Sequence, residues 1–194
     1  MSMSKNLHVV SFNGPFGFIK PWTAVRDKQT YSQQFLTPST VEGMRQKLEV
    51  EAILRHKITH EGFSLQQERI QSGGWKKKVI KSRREATYER AQSIVIRGVM
   101  LNPMLHLAFS TEADADRASQ QHLCLSRNED VVFPTGGARE MTEADFDQLP
   151  GFELQFGEGE EAFMVGYNRY EDGAPMYGTL ETTGDPVNPK PLAR

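Results

Sequence analysis

At 194 residues, 38% hydrophobic and 25% charged, with 16 glycines and 10 prolines, the chain is long enough to bury a core as one domain with an appendage. It has no run of 18 apolar residues, which excludes a membrane-spanning helix. Residues 1–5 lead into a strand-like stretch with no apolar signal core, so a cytoplasmic location is expected. The net charge of −2 is segregated: residues 1–97 carry 17 Lys/Arg against 8 Asp/Glu, and residues 140–194 carry 3 against 12. A basic half suggests a polyanionic partner; the plainer reading is surface charge for solubility.

Leu7–Phe12 is predicted as a first buried strand, followed by the turn-forming Asn13–Gly17. Thr37-Pro38-Ser39 opens a helix, with hydroxyls to cap free N–H groups and Pro in the first turn. Val41, Met44 and Leu48 form one apolar stripe along it, and it ends near Val50. Ala52–Phe63 reads as a second strand anchored by Ile53, Leu54 and Ile58. The polar, basic stretch Gln66–Arg90, broken by Ser72-Gly73-Gly74, cannot be core.

Gln92–Met100 and Pro103–Ser110 return to strand character, with Leu105, Leu107 and Phe109 on one face and His106 on the other. Thr111–Leu125 suits a short helix, and Val131–Phe133 a short strand running into Pro134-Thr135-Gly136-Gly137. Phe152, Leu154 and Phe156 then alternate, Phe163, Val165 and Tyr167 share another face, and Pro186–Arg194 is expected to fray. This order predicts an α+β fold: a ferredoxin-like (RRM-like) core with a long basic hairpin inserted and a C-terminal β-rich extension. The expected division is 1–133 for the core and 134–194 for the glycine turn and extension.

Trp75, Lys76, Lys77, Lys78, Lys81, Arg83, Arg84, Tyr88 and Arg90 carry the main chemical signal. Cations neutralise phosphates and release counterions, and aromatic rings stack on unpaired bases; the bland reading is a solvated loop. His56 and His60 are four apart, but in a strand that spacing is ~13 Å, too far to share a metal, so neither a metal nor a cofactor is expected. Cys124, the lone cysteine, has no basic neighbour within two positions and reads as a small buried apolar group. Gly157-Glu158-Gly159 sits among carboxylates that would repel a phosphate, and no nucleophile elbow, P-loop or dinucleotide fingerprint occurs.

Several of these segments, in this order, resemble the Cas-five family of CRISPR effector subunits. They are the first strand and aromatic turn of residues 8–22, the helix start Thr37-Pro38-Ser39 with Gly43, and the strand Arg90–Val99. The Gly137-Ala138-Arg139-Glu140 element and the pair Asp145-Phe146 follow. The resemblance covers residues 7–190 and is closest to the type IV form, with similarity to subtype I-C.

It implies a thumb hairpin at 63–92 contacting RNA, binding of the 5′ handle of the guide RNA, and docking on a backbone subunit and a large subunit. Target DNA is engaged indirectly, and no membrane is involved. By the same resemblance Thr37, Ser39, Gly136, Gly137 and Arg139 join the RNA-binding set. The subtype I-C relatives cut precursor RNA with a Tyr late in the first helix and a Lys-His pair. Here those positions hold Glu49 and Gln121-His122, and a carboxylate is no substitute for a phenol of pKa about 10, so the chain is expected not to be an enzyme. The alternatives are a metal-independent endoribonuclease using His122 as base, and a stand-alone RRM-like protein binding single strands.

Overall fold

The computed structural model describes residues 6–23, 28–71, 74–80 and 85–188. Lys81, Arg83 and Arg84 of the basic stretch lie outside these residues. Chain order runs β1 (Asn6–Asn13), β2 (Phe16–Gly17), β3 (Gln29–Tyr31), α1 (Pro38–Leu48), β4 (Arg55–Thr59), β5 (Phe63–Ile70), β6 (Trp75–Ile80), β7 (Glu85–Arg90), β8 (Ser93–Leu101) and β9 (Met104–Phe109). It continues through α2 (Glu112–Ser119), β10 (Leu123–Cys124), β11 (Val131–Pro134), β12 (Arg139–Thr142), α3 (Glu143–Gln148), β13 (Gly151–Phe156), β14 (Phe163–Asn168) and β15 (Ala174–Thr183). The fold is α+β and dominated by antiparallel strands.

The main sheet has the order β10-β11-β1-β9-β4-β13-β15-β14, with β12 also paired to β1. Within it β1-α1-β4-β9-α2-β11 follows the β-α-β-β-α-β order on which the ferredoxin-like expectation rests. Thr37 caps α1 by accepting from Thr40 N, and Glu49 closes the helix in the left-handed region (φ 56). The expected stripe Val41, Met44 and Leu48 packs with Val10, Phe12, Ile58, Leu105, Leu107 and Phe109 in one core on the helix-covered face. Thr111 caps α2, whose Ala115 and Ala118 join that core.

The opposite face of the sheet is also covered in part. Phe146 of α3 packs on Leu7, Val9 and Ala108. Lys57 lies beneath it, 2% exposed, its ammonium donating to the carbonyls of Phe146, Asp147 and Leu149 and to Thr183 Oγ1. Arg55 forks onto buried Glu153 at 2.6 and 2.7 Å, so charges set between strands are matched as burial demands. The chain after β11 therefore returns to the main sheet, β12 pairing with β1 and β13 with β4.

Four local expectations are corrected. The second strand is shorter than Ala52–Phe63, because Gly62 (φ 120) turns the chain after β4 and sends Phe63 into a second sheet. Cys124 is exposed, since Leu123 takes the inward position of the two-residue β10. Phe163, Val165 and Tyr167 do not share a face: a bulge between Met164 and Gly166 buries Val165 and turns Tyr167 out. Pro186–Asn188 is docked, with His60 N donating to Pro186 O and Asn188 N to His60 O.

The second sheet has the order β2-β8-β3, with β5 also on β8. β5 and β8 form an eight-pair antiparallel ladder from Phe63↔Met100 to Ile70↔Ser93. Beyond it β6 and β7 make a separate six-pair hairpin, Trp75↔Arg90 to Ile80↔Glu85. At Gly98 the Tyr31 ring comes so close to the β8 backbone that no space remains for a Cβ. Among the described residues no helix is long and apolar enough to cross a membrane.

Candidate nucleic-acid interface

The pairing of β6 with β7 sorts the basic stretch into two faces. Residues directly opposite in a ladder share a face, and alternate residues share it along each strand. Trp75, Lys77 and Val79 therefore stand with Arg90, Tyr88 and Ala86 on one side, and Lys76 and Lys78 with Glu89 and Thr87 on the other. Trp75 is 67% exposed and Tyr88 63%. The possibility that Trp75 packs beneath the hairpin as a local staple does not hold, because its ring faces solvent with the Arg90 guanidinium 5.8 Å from its centroid.

The cations are not equivalent. Lys78 pairs with Glu89 at 3.1 Å on the far face, both side chains well exposed, an interaction worth little in water. Arg90 donates to Gln71 Oε1 at 2.8 Å, which holds its fork over Trp75. Lys76 and Lys77 have no ion-pair partner among the described residues. The aromatic face thus presents two rings, the Arg90 guanidinium and the exposed Lys77 ammonium to solvent.

Gly136 and Gly137 lie on another element group. β11 and β12 both pair antiparallel with β1, Phe12↔Pro134 and Val9↔Arg139, so residues 135–138 are an insertion within one edge of β1. Thr135 anchors it by donating N–H and hydroxyl to Ser11 O. A Cβ at either glycine would meet nothing within 4 Å, and neither has a positive φ. The glycines are therefore required by neither space nor conformation within this chain, and they leave the backbone N–H groups open to close approach. The Arg139 side chain is exposed without a hydrogen bond or ion pair among the described residues, while its neighbour Glu140 accepts from Asn6 Nδ2 at 2.6 Å.

Thr37 and Ser39 form a third group, at the start of α1. Thr37 is buried and committed to its cap, its Oγ1 2.9 Å from Thr40 Oγ1; both it and Ser39 line a surface depression. Beside it lies a feature that residue patterning missed: Trp22 and Tyr167 meet edge to face, centroids 5.8 Å apart, across a pocket of about 140 Å³ that Ser39 and Thr40 also line. Nothing local signals this contact, because the two rings are far apart in sequence and Tyr167 is turned outward only by the bulge.

Three of the five histidines are buried. His56 sits inside β4, stacked on Phe156 at 5.2 Å, and burial lowers its pKa to about 4. His60 Nε2 lies 2.8 Å from Gln34 Oε1, and its Nδ1 interacts with Gly62. His106 Nδ1 is 2.8 Å from Ser11 Oγ, and burial together with the charges of Arg139 and Lys57 lowers its pKa to about 4. His60 and His106 are thus held by hydrogen bonds, while His56 Nε2 is buried without a hydrogen-bond partner among the described residues. His122 is exposed beside Phe133, centroids 6.0 Å apart.

Fold and surface together define a class: an α+β chain with a main sheet backed by helices and, beyond a second sheet, an exposed aromatic and basic hairpin. In fold the chain is similar to a chain of a solved "CRISPR RNA-guided surveillance complex". The TM-score is 0.52 over 96% of this chain and 95% of that one, with 11% sequence identity. No family model and no curated protein matches the sequence.

Proposed function

We propose that the chain is a non-catalytic subunit of a multisubunit CRISPR RNA-guided effector complex. In this reading it binds the 5′ handle of the guide RNA and caps the backbone, docking against a backbone subunit and a large subunit. The observation that carries the reading is the one-sided face of the β6–β7 hairpin, where Trp75, Lys77, Tyr88 and Arg90 all stand outside the core. Stacking on unpaired bases and neutralising phosphates need those side chains on one accessible surface. The whole-chain likeness in fold to a subunit of a CRISPR surveillance complex supports the same reading.

Cleavage has no place in it. The position at which the resemblance expects a Tyr is Glu49, the left-handed residue that ends α1, with its carbonyl taken by Arg117. His122 follows Gln121 rather than Lys. The test is the salt dependence of binding to a single-stranded repeat RNA, measured by fluorescence anisotropy in EDTA. Lys76→Ala, Lys77→Ala and Lys78→Ala combined should weaken binding and flatten the slope, by about 0.7 for each phosphate no longer neutralised. The RNA recovered should be intact. An unchanged slope would make the cluster a solvated face, and specific cleavage would refute the non-catalytic role.

A further inference from the structure

The Trp22–Tyr167 contact is not explained by packing. The bulge in β14 buries Val165 against Leu154 and Met176, and Gly166 (φ 134) then turns the chain so that Tyr167 points outward. A Cβ at Gly166 would lie 3.2 Å from Trp22 Cβ, so this residue permits both the backbone conformation and the approach of the two rings. Both rings nevertheless remain accessible, Trp22 at 43% and Tyr167 at 58%. Two exposed aromatics held by a bulge next to the capped start of a helix make a preformed aromatic wall.

The rest of the pocket has an apolar floor of Ile19, Val165 and Met176 and a polar side. Ser39, Thr40 and the Gln33 amide line it, with Lys20 at its rim. Ser39 and Thr40 also border a second groove of about 350 Å³, which carries Lys47 and Arg169. Arg169 Nη2 is held at 2.9 Å from Tyr170 Oη, and Lys20 has no ion pair among the described residues. Among those residues no Asp or Glu lines either depression, although the chain carries 25 of them; the sign of the surface therefore favours an anion.

We propose that the pocket takes one unpaired base of a single-stranded nucleic acid. The base stacks on the face of one ring of the perpendicular Trp22–Tyr167 pair and meets the edge of the other, with its polar edge toward the hydroxyls of Ser39 and Thr40. Neighbouring phosphates lie on Lys20 and, across the shared rim, on Lys47 and Arg169. Aromatic stacking is tolerant of base identity because every base has a π-face, while hydroxyls and an amide can read its edge. The proposal rests on the RNA-binding reading above and adds a second contact on elements separate from the thumb hairpin.

The chain has two tryptophans, so Trp75→Phe leaves Trp22 as the only indole reporter. Titration of that full-length variant with a single-stranded RNA hexanucleotide should quench Trp22 emission, and the same RNA in a duplex should not. Adding Tyr167→Ala should raise the Kd about tenfold, and Tyr167→Phe should leave it near the parent value. Tyr167 is on the surface, so the thermal midpoint should hold. Should it fall, Lys20→Ala at an exposed site provides an independent readout, a shallower salt slope. Trp22 emission that ignores an RNA seen to bind by anisotropy overturns the proposal, as does unaltered affinity in both Tyr167→Ala and Lys20→Ala. If the thumb lysine variants lose binding while the pocket variants keep it, the pocket assignment fails and the RNA-binding reading stands; if the unsubstituted chain binds no single strand, both fail.

Discussion

Arg139 and Lys57 show how differently two cations of one sheet can be used. Lys57 is enclosed, and its ammonium is spent on three carbonyls at the end of α3 and one hydroxyl; burial lowers its pKa, and its role is to hold α3 on the sheet. The Arg139 side chain is exposed with no partner among the described residues, beside two glycines whose Cβ positions are empty. A guanidinium left open in this way can grip a phosphate with both arms or stack on a base. Arg139→Ala should therefore lower affinity for handle RNA about tenfold and leave the thermal midpoint nearly unchanged. A lowered midpoint with unaltered affinity per folded molecule would make Arg139 structural.

At the scale of the element, the β6–β7 ladder makes the two sides of the hairpin chemically distinct. Lys77 stands opposite Tyr88 on the aromatic side, while Lys78 is on the reverse side with Glu89. If a strand of RNA lies across the rings, Lys77→Ala should lower affinity several-fold, and Lys78→Ala, on the reverse side beside Glu89, should stay within about twofold. Equal losses in matched anisotropy titrations would mean that the hairpin binds through net charge and not through a face. The β5–β8 ladder supports this presentation: it is eight pairs long and tied to the body through Arg97, which pairs with Glu68 and lies over Phe18.

At the scale of the whole molecule, two histidines inside the main sheet set an acid limit on stability. His56 and His106 both have pKa values lowered to about 4 by burial, below the usual value near 6.5. The unfolded chain therefore takes up protons first as pH falls. Their contribution is complete above pH 6.5 and is lost progressively as pH drops toward 4, with a slope of up to about 1.4 kcal/mol per pH unit for each residue. The thermal midpoint should hold between pH 7 and 8 and fall between 6.5 and 5, where most carboxylates are still ionised. His56→Phe, which keeps a ring against Phe156, should flatten that fall; an unaltered profile would show that His56 does not carry it.

What the sequence by itself determined is local in origin. The cap at Thr37, the stripe Val41, Met44 and Leu48, and the alternation of β9 are each encoded within a few residues of their own backbone, and they were legible for that reason. The basic hairpin was legible too, because a stretch dense in charge has no way into a core. Tertiary structure alone decided which residues of that stretch share a face, since the assignment depends on the partner strand. It also decided that Phe146 would cover Leu7, Val9 and Ala108 on the second face of the sheet, that Cys124 would face outward, and that a bulge at Gly166 would bring Tyr167 to Trp22. Each of these outcomes turns on contacts between segments remote in the chain, and a strand's period of two names its faces without saying which one the rest of the protein will bury.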